Sequence, residues 1–336
     1  MKRMIPNTGL ALLALFLTAS MARAQQPPLR LLQTIPLPNV HGRIDHFDID
    51  LKGQRLFMSA LGNNTVEVFD LKSNKVIHTI TGLQEPQGIT YAPESNRLFI
   101  ANGGDGTCSV FDGTTYQLVK STHLSSDADD TRYDAAAKRV FVGYGDEGSA
   151  GIAVFDAASG DLVETIPLPA HPESFQLEAA GFRIFANVPS AGNTVDVVDR
   201  KTRKSLATWK LGSARDNFPM ALDERNHRLF VVCRDPAEVL VLDTESGKVV
   251  ARIPCVTHAD DAWYDGANQR IYVSGGGGFL TVIHQESADH YRKVTDMKTL
   301  PGARTSFLAA ETRRLYLGVW GRGSQPEELR VYEVVP

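Results

Sequence analysis

Arg55-Leu56-Phe57, Arg97-Leu98-Phe99, Arg139-Val140-Phe141, Arg183-Ile184-Phe185, Arg228-Leu229-Phe230, Arg270-Ile271-Tyr272 and Arg314-Leu315-Tyr316 are seven copies of one phrase, spaced 42, 42, 44, 45, 42 and 44 residues apart. A fixed period of this length marks an array of self-similar units that bury their apolar faces against one another. After each of the first five copies comes an alternating apolar run that ends in Asp: Val66-Glu67-Val68-Phe69-Asp70, then the runs closing at Asp112, Asp156, Asp199 and Asp243. Turn formers follow, as in Lys72-Ser73-Asn74, Ala158-Ser159-Gly160 and Glu245-Ser246-Gly247. Such residues satisfy local backbone groups or tolerate positive φ. Another short apolar strand comes next, for example Lys248 to Ile253.

Each unit therefore reads as four short strands, with period-2 patterning and a turn every 8 to 12 residues. Four-stranded units at this spacing are the blades of a β-propeller, so the expectation is an all-β, seven-bladed, single domain over residues 25–336. The last unit, Thr305 to Val334, supplies three strands, while Leu29 to Leu37 reads as an isolated fourth. The N-terminal strand is expected to complete the last blade, which leaves the ring without an open seam. A β-solenoid, with shorter coils, explains the spacing less well.

Phrases such as Gly62-Asn63-Asn64-Thr65-Val66-Glu67-Val68-Phe69-Asp70 and Asp243-Thr244-Glu245-Ser246-Gly247-Lys248-Val249 resemble the YVTN-type propeller repeat. The chain is similar to the YncE-like family of exported bacterial proteins over essentially its whole mature length. The resemblance implies the fold and leaves the activity open, since members of that family are mostly of unassigned function. The sixth unit departs from the pattern: His284 stands where the turn Asp is expected, and a longer stretch through His290 and Tyr291 follows.

The N-terminus carries Lys2 and Arg3, an apolar run from Leu10 to Leu17, and Ala22-Arg23-Ala24. That is the pattern of a secretory signal peptide over residues 1–24. Its apolar run falls short of the roughly 20 residues a membrane span needs. The expected location is the periplasm or the outside of the cell. A net charge of −4 provides no basic footprint, which argues against nucleic acid as a partner. Cys108, Cys233 and Cys255 show neither a disulfide framework nor a C-x-x-C motif and read as small core residues, although one pair could be bridged in an oxidising compartment.

The innermost strand of each blade begins nine or ten residues before the repeated Arg. Those starts are Asp45-His46, Gln87-Gly88, Asp129-Asp130, Glu173-Ser174, Phe218-Pro219, Asp260-Asp261 and Arg304-Thr305, with His41, His171, Asn217 and His258 nearby. Recurring at the blade period, they are expected to form a ring at one mouth of the channel. The candidate ligand-binding residues are Asp45, His46, Gln87, Asp129, Asp130, Glu173, Asn217, Asp260, Asp261 and Arg304. Carboxylates gathered around a narrow channel repel one another, which raises some of their pKa values or recruits a cation. Asp130, Glu173, Asn217 and Asp261 offer the oxygen ligands that Ca²⁺ or Mg²⁺ prefer. His46 and His258, together with Asp or Glu, suit Zn²⁺. The alternative is a water-filled polar mouth whose acids are hydrogen-bonded to inner-strand amides.

Two functional readings follow. The first is a binding module that presents this mouth, with loops around Asn63, Gly104, Glu147, Ala191, Asp235, Gly277 and Arg322, to a protein, peptide, glycan or small molecule. Trp320 and Arg322 form a pair of the kind that anchors interfaces, with inter-blade packing as the competing role for Trp320. The second is a metal-dependent lactonase or esterase, with Asp130, Glu173, Asp261 or His46 as general base. The glycine runs 275–278 and 102–106 lie between strands and read as hairpin turns, as does Asn63-Asn64-Thr65 despite its N-glycosylation pattern. Asp48, Asp50 and Asp134 are expected near first-to-second strand turns on the opposite face, capping amides. G-x-S-x-G, H-E-x-x-H and C-x-x-C-H are absent from the sequence, so the serine hydrolases, zincins and c-type haem proteins that carry those motifs are not indicated.

Overall fold

The computed structural model describes residues 26–146 and 148–336, so the signal-peptide pattern and Glu147 lie outside the described residues. Seven four-stranded antiparallel sheets follow one another around a ring. In blade 1 the strands are Phe47–Asp50, Arg55–Ala60, Thr65–Asp70 and Lys75–Ile80, running from the channel outward. Blades 2 to 6 have inner strands Pro86–Ala92, Thr131–Asp134, Ser174–Leu177, Arg215–Asp223 and Ala259–Asp265. Blade 7 holds Ser306–Ala309, Arg314–Val319 and Glu328–Val334, and its outermost strand is Leu29–Pro36 from the N-terminus. That strand pairs from Leu29 opposite Val334 to Pro36 opposite Glu328, with a bulge between Leu31 and Gln33. The expected closure is therefore present.

The repeated phrase has a physical meaning residue by residue. Its arginine starts the second strand and stands opposite the Asp that ends the third, as Arg97 does opposite Asp112. Arg97, Arg139 and Arg228 reach Asp112, Asp156 and Asp243 at 2.6–2.8 Å. The other oxygen of the same Asp accepts the amides of the turn that follows: Thr114 and Thr115 for Asp112, Ala158 and Ser159 for Asp156. These bonds hold the Asp112 carboxyl down at about 2. In blade 6 His284 bonds to the Gln269 carbonyl instead, and the hairpin runs on through Phe279–Ser287 and His290–Lys298.

The aromatic of the phrase stitches each blade to the next. Phe57 packs with Ile89, Tyr91 and Leu98 of blade 2, Phe99 with Val140 and Val142 of blade 3, and Phe141 with Phe175 and Ile184 of blade 4. Phe185, Phe230 and Tyr272 continue the series, and Tyr316 closes it against Phe47, Leu56 and Met58 of blade 1. Burying each ring contributes roughly 1.5–3 kcal/mol, so the core consists of seven shared layers between blades. All three cysteines are free thiols; Cys108 and Cys233 sit inside these layers and Cys255 against one.

Candidate functional site at the channel mouth

The inner-strand starts and the loops between second and third strands meet at one end of the channel. Gly62, Gly103 and Gly276 of those loops donate their amides to the carbonyls of Arg43, Glu85 and His258, each at 2.9 Å. A cavity of about 490 Å³ opens there, and all seven blades line it: His46, Gln87, Asp129, Asp130, Glu173, Phe218, Asp260, Asp261 and Arg304 are among its walls. Gly88 is required at this end because a Cβ on it would lie 2.1 Å from the Asp129 carbonyl oxygen of the next blade. Two ring members stand behind the wall. Asp45 is fully buried, and so is Asn217, whose amide donates to Asn187 Oδ1 at 2.9 Å and the Thr194 carbonyl at 2.8 Å.

The mouth is not an acidic ring. Four arginines, Arg43, Arg132, Arg234 and Arg304, line the cavity among its carboxylates, and only Arg304 was expected there. Three of them converge on one carboxylate, Asp260. Arg304 Nε lies 2.6 Å from Asp260 Oδ2 and Arg43 Nη2 lies 3.8 Å from it, while Arg234 bonds to Oδ1. Arg43 also pairs with Asp45 at 2.9 Å. The Arg234 guanidinium stacks on the Phe218 ring at 3.4 Å and donates to the Ala259 carbonyl. Burial, together with the like charges of Arg304 and Arg43, holds Arg234 below the ordinary arginine pKa even though Asp260 opposes the shift. Arg43 Nε is buried without a hydrogen-bond partner among the described residues.

The other side of the mouth carries imidazoles between carboxylates. His46 has Nδ1 3.5 Å from Asp261 Oδ1, and Nε2 3.7 Å from Asp45 Oδ1 and 3.8 Å from Asp129 Oδ1. Burial disfavours its charge, but Asp45 and Asp261 outweigh burial and raise its pKa well above the usual value. His171 lies in the same cluster, its Nε2 3.8 Å from Asp129 Oδ2 and 3.9 Å from Asp127 Oδ2. Burial opposes its charge too, yet Asp129 lifts its pKa to about 9. Glu173 is pushed up to about 7, first by burial and then by the charge of Asp129. Burial likewise raises Asp45 to about 6.

The four residues expected to share a Ca²⁺ or Mg²⁺ ion do not gather at one point. Asp130 spends one oxygen on Arg132 and the other on the Phe175 amide at 3.1 Å. Asp261 faces His46 and accepts the Ser306 amide at 2.6 Å. Asn217 is held in the wall, so Glu173 alone of the four belongs to a close set of ligand atoms. That set is Asp129, His171 and Glu173, whose ligand atoms lie within 4.8 Å of one another. His258, named for Zn²⁺, is exposed and is not part of the cavity wall, and His41 pairs at 3.8 Å with Glu327.

Among the other expectations, Asp50 caps Gly53 while holding Arg55, and Asp134 caps Ala137 while holding Arg200. Asp48 caps Ile49 and Tyr91, as a cap should, but it lines the channel cavity as well. Trp320 donates to the Gly302 carbonyl, in the connection between blades 6 and 7, and Arg322 covers its ring at 4.6 Å. The glycine runs are turns between strands, as read.

Arg132 and Arg43 each lie two residues from a ring acid, which was the available clue to them. Arg234 is the next-to-last residue of a second strand, Arg228–Asp235, that is longer than its counterparts in the other blades.

No family model matches the chain, and no curated protein matches it. Among solved structures, the chain is similar to one from a crystal structure of a mitotic checkpoint complex, with 13% identity, a TM-score of 0.76, and coverage of 98% of this chain and 100% of that one. It is also similar to a chain of Kuenenia stuttgartiensis hydrazine synthase, with 16% identity, a TM-score of 0.73, and coverage of 87% and 97%. At such identities the likeness establishes the seven-bladed fold alone. Among the described residues, no helix is long and apolar enough to cross a membrane.

Proposed function

We propose that this propeller is an exported, YncE-like binding module whose channel mouth takes a small anionic ligand, anchored by Arg43, Arg234 and Arg304. One observation carries the reading: three guanidiniums from distant parts of the chain converge on the single carboxylate of Asp260. A guanidinium offers five donors, and although Arg43 also has Asp45, the carboxylate of Asp260 cannot use all those of Arg234 and Arg304. The buried unpartnered Nε of Arg43 and the pKa of Arg234, lowered by burial and by the charges of Arg304 and Arg43, show that a further acceptor is wanting. A carboxylate- or phosphate-bearing ligand supplies it bidentately. The cavity, at about 490 Å³, is of the size that holds small molecules. A protein, peptide or glycan partner would engage the same mouth through an acidic group. Export rests on the N-terminal pattern of residues 1–24.

Calorimetric titration with inorganic phosphate and a panel of small dicarboxylates tests this. Binding of at least one of them, weakened tenfold or more by Arg234→Ala in a chain with unchanged circular dichroism, is expected. No uptake of any of these anions would overturn the reading.

The second reading, metal-dependent hydrolysis of a lactone or ester, draws on the clustered ligand atoms of Asp129, His171 and Glu173. Asp130 and Asp261, two of its candidate bases, are occupied by backbone amides. The binding reading therefore has the stronger support.

A further inference from the structure

We propose that Asp129, His171 and Glu173 form a binding site for one divalent transition-metal ion of the zinc class. The inference goes beyond the anion anchor and does not depend on it. The three residues come from the starts of two adjacent blades: Asp129 precedes the inner strand of blade 3, and His171 and Glu173 precede that of blade 4. Among the described residues, this is the one group of acids, histidines or cysteines that brings three ligand atoms within 4.8 Å of one another.

The histidine is set up as a ligand by a contact outside the group. Its Nδ1 lies 3.0 Å from the Gly145 carbonyl oxygen. A carbonyl only accepts, so Nδ1 carries a proton, and Nε2 is the nitrogen that faces the carboxylates. An Nδ1–H bond to a backbone carbonyl is the outer contact that orients metal-bound imidazoles. The distances agree. Nε2 is 3.8 Å from Asp129 Oδ2 and 3.9 Å from Asp127 Oδ2, beyond hydrogen-bond reach. Two ligand atoms bound at about 2.0–2.1 Å to one tetrahedral ion stand roughly 3.4 Å apart, so a small side-chain rotation closes the site.

A second observation points the same way. Asp129 Oδ1 is buried and has no hydrogen-bond partner among the described residues. The imidazole nitrogens nearest Asp129, His46 Nε2 at 3.8 Å from Oδ1 and His171 Nε2 at 3.8 Å from Oδ2, stand beyond hydrogen-bond reach, so a bound dication would be a closer partner for this carboxylate. With the Nε2 proton of His171 displaced by the ion, two carboxylates, a neutral imidazole and a dication sum to zero charge. The choice of metal follows from the donor set, because Ca²⁺ and Mg²⁺ take oxygen ligands whereas a mixed nitrogen and oxygen set suits zinc and its neighbours. Gln87 donates to Asp127 Oδ1 at 2.7 Å and so aims Oδ2 toward the same place. A four-coordinate shell is completed by Asp127 or by a molecule entering from the channel.

The test is metal titration of the purified, chelator-stripped chain with Zn²⁺, and with Co²⁺ for its visible absorption. The wild-type chain is expected to take one equivalent, with Co²⁺ bands of tetrahedral type. Glu173→Gln, nearly isosteric, and His171→Ala should each weaken uptake tenfold or more. His258→Ala, which alters an exposed histidine outside the cavity, should leave uptake unchanged. Absence of uptake by the wild-type chain, or an equivalent that survives Glu173→Gln with unchanged affinity, overturns the proposal. Glu173→Gln decides the matter by itself should His171→Ala fail to fold. Failure of the anion reading would show in the phosphate and dicarboxylate titrations with Arg234→Ala, not in this one.

Discussion

Asp261 Oδ2 accepts the backbone N–H of Ser306 at 2.6 Å, so a carboxylate on the inner strand of blade 6 caps the inner strand of blade 7. The relationship recurs: Asp130 of blade 3 caps Phe175 of blade 4, and Asp48 of blade 1 caps Tyr91 of blade 2. Hydroxyl and amide side chains do comparable work at other joints, with Thr305 donating to the Ile44 carbonyl where blade 7 meets blade 1. Much of the acidity around the channel therefore joins blades.

Asp261→Ala should lower stability by about 2 kcal/mol, the range expected when a buried amide loses a charged acceptor. Thermal unfolding reads this as a lower Tm. An unchanged Tm would show that the cap contributes nothing to the joint.

Asp260→Asn leaves three guanidiniums around a neutral amide. Breaking a buried ion pair from one side costs about 3–5 kcal/mol, and the exposure of this mouth to water places the loss toward the lower end. Phosphate should restore the Tm of the variant more than chloride at equal ionic strength, because phosphate takes the place of the carboxylate between the arginines. Equal effects of the two salts would contradict that geometry.

Asp48 has its pKa pushed up to about 7 by burial, against the opposing bonds from the Tyr91 and Ile49 amides. A carboxyl that holds its proton more tightly when folded contributes stability that is fully present below the unfolded pKa and is lost as pH rises through 7. Asp48→Asn has no proton to lose. Its Tm relative to wild type should therefore rise between pH 4.5 and pH 8, as measured by parallel melts. A constant difference across that interval would refute the assignment.

Deleting residues 26–36 removes the strand opposite Glu328–Val334 and leaves that strand's outer edge unpaired. It also removes Leu29 and Ile35, both buried. The truncated chain should elute as oligomers or aggregates in size-exclusion chromatography, since an open edge pairs with other chains. A stable monomer would mean that closure is dispensable.

The repeat made the architecture legible in the sequence. Arg97, Phe99 and Asp112 each have a local job, pairing across a hairpin, packing on the next blade and capping a turn, so the phrase recurs wherever a blade does. Counting back from it located the inner-strand starts, because strand geometry repeats with the period. Blade 6 kept its place in the ring despite His284, since its shared apolar layers remain.

What the sequence by itself determined is the number of blades, their four-stranded make-up, the closing strand and the set of residues at one mouth, all of which follow from local periodicity and turn chemistry. Only the tertiary structure decided what those residues do. Arg43, Arg234 and Arg304 meet at Asp260 from positions spread over most of the chain, and His171 meets Asp129 across a blade boundary. Asp130 and Asp261, alike in sequence to Asp129 and Asp260, point at backbone amides instead. The physical reason is that their partners come from other blades, whose placement beside them local periodicity does not specify. At the start of an inner strand, one residue's difference in position thus separates a carboxylate that caps the next blade from one that pairs with arginine or histidine.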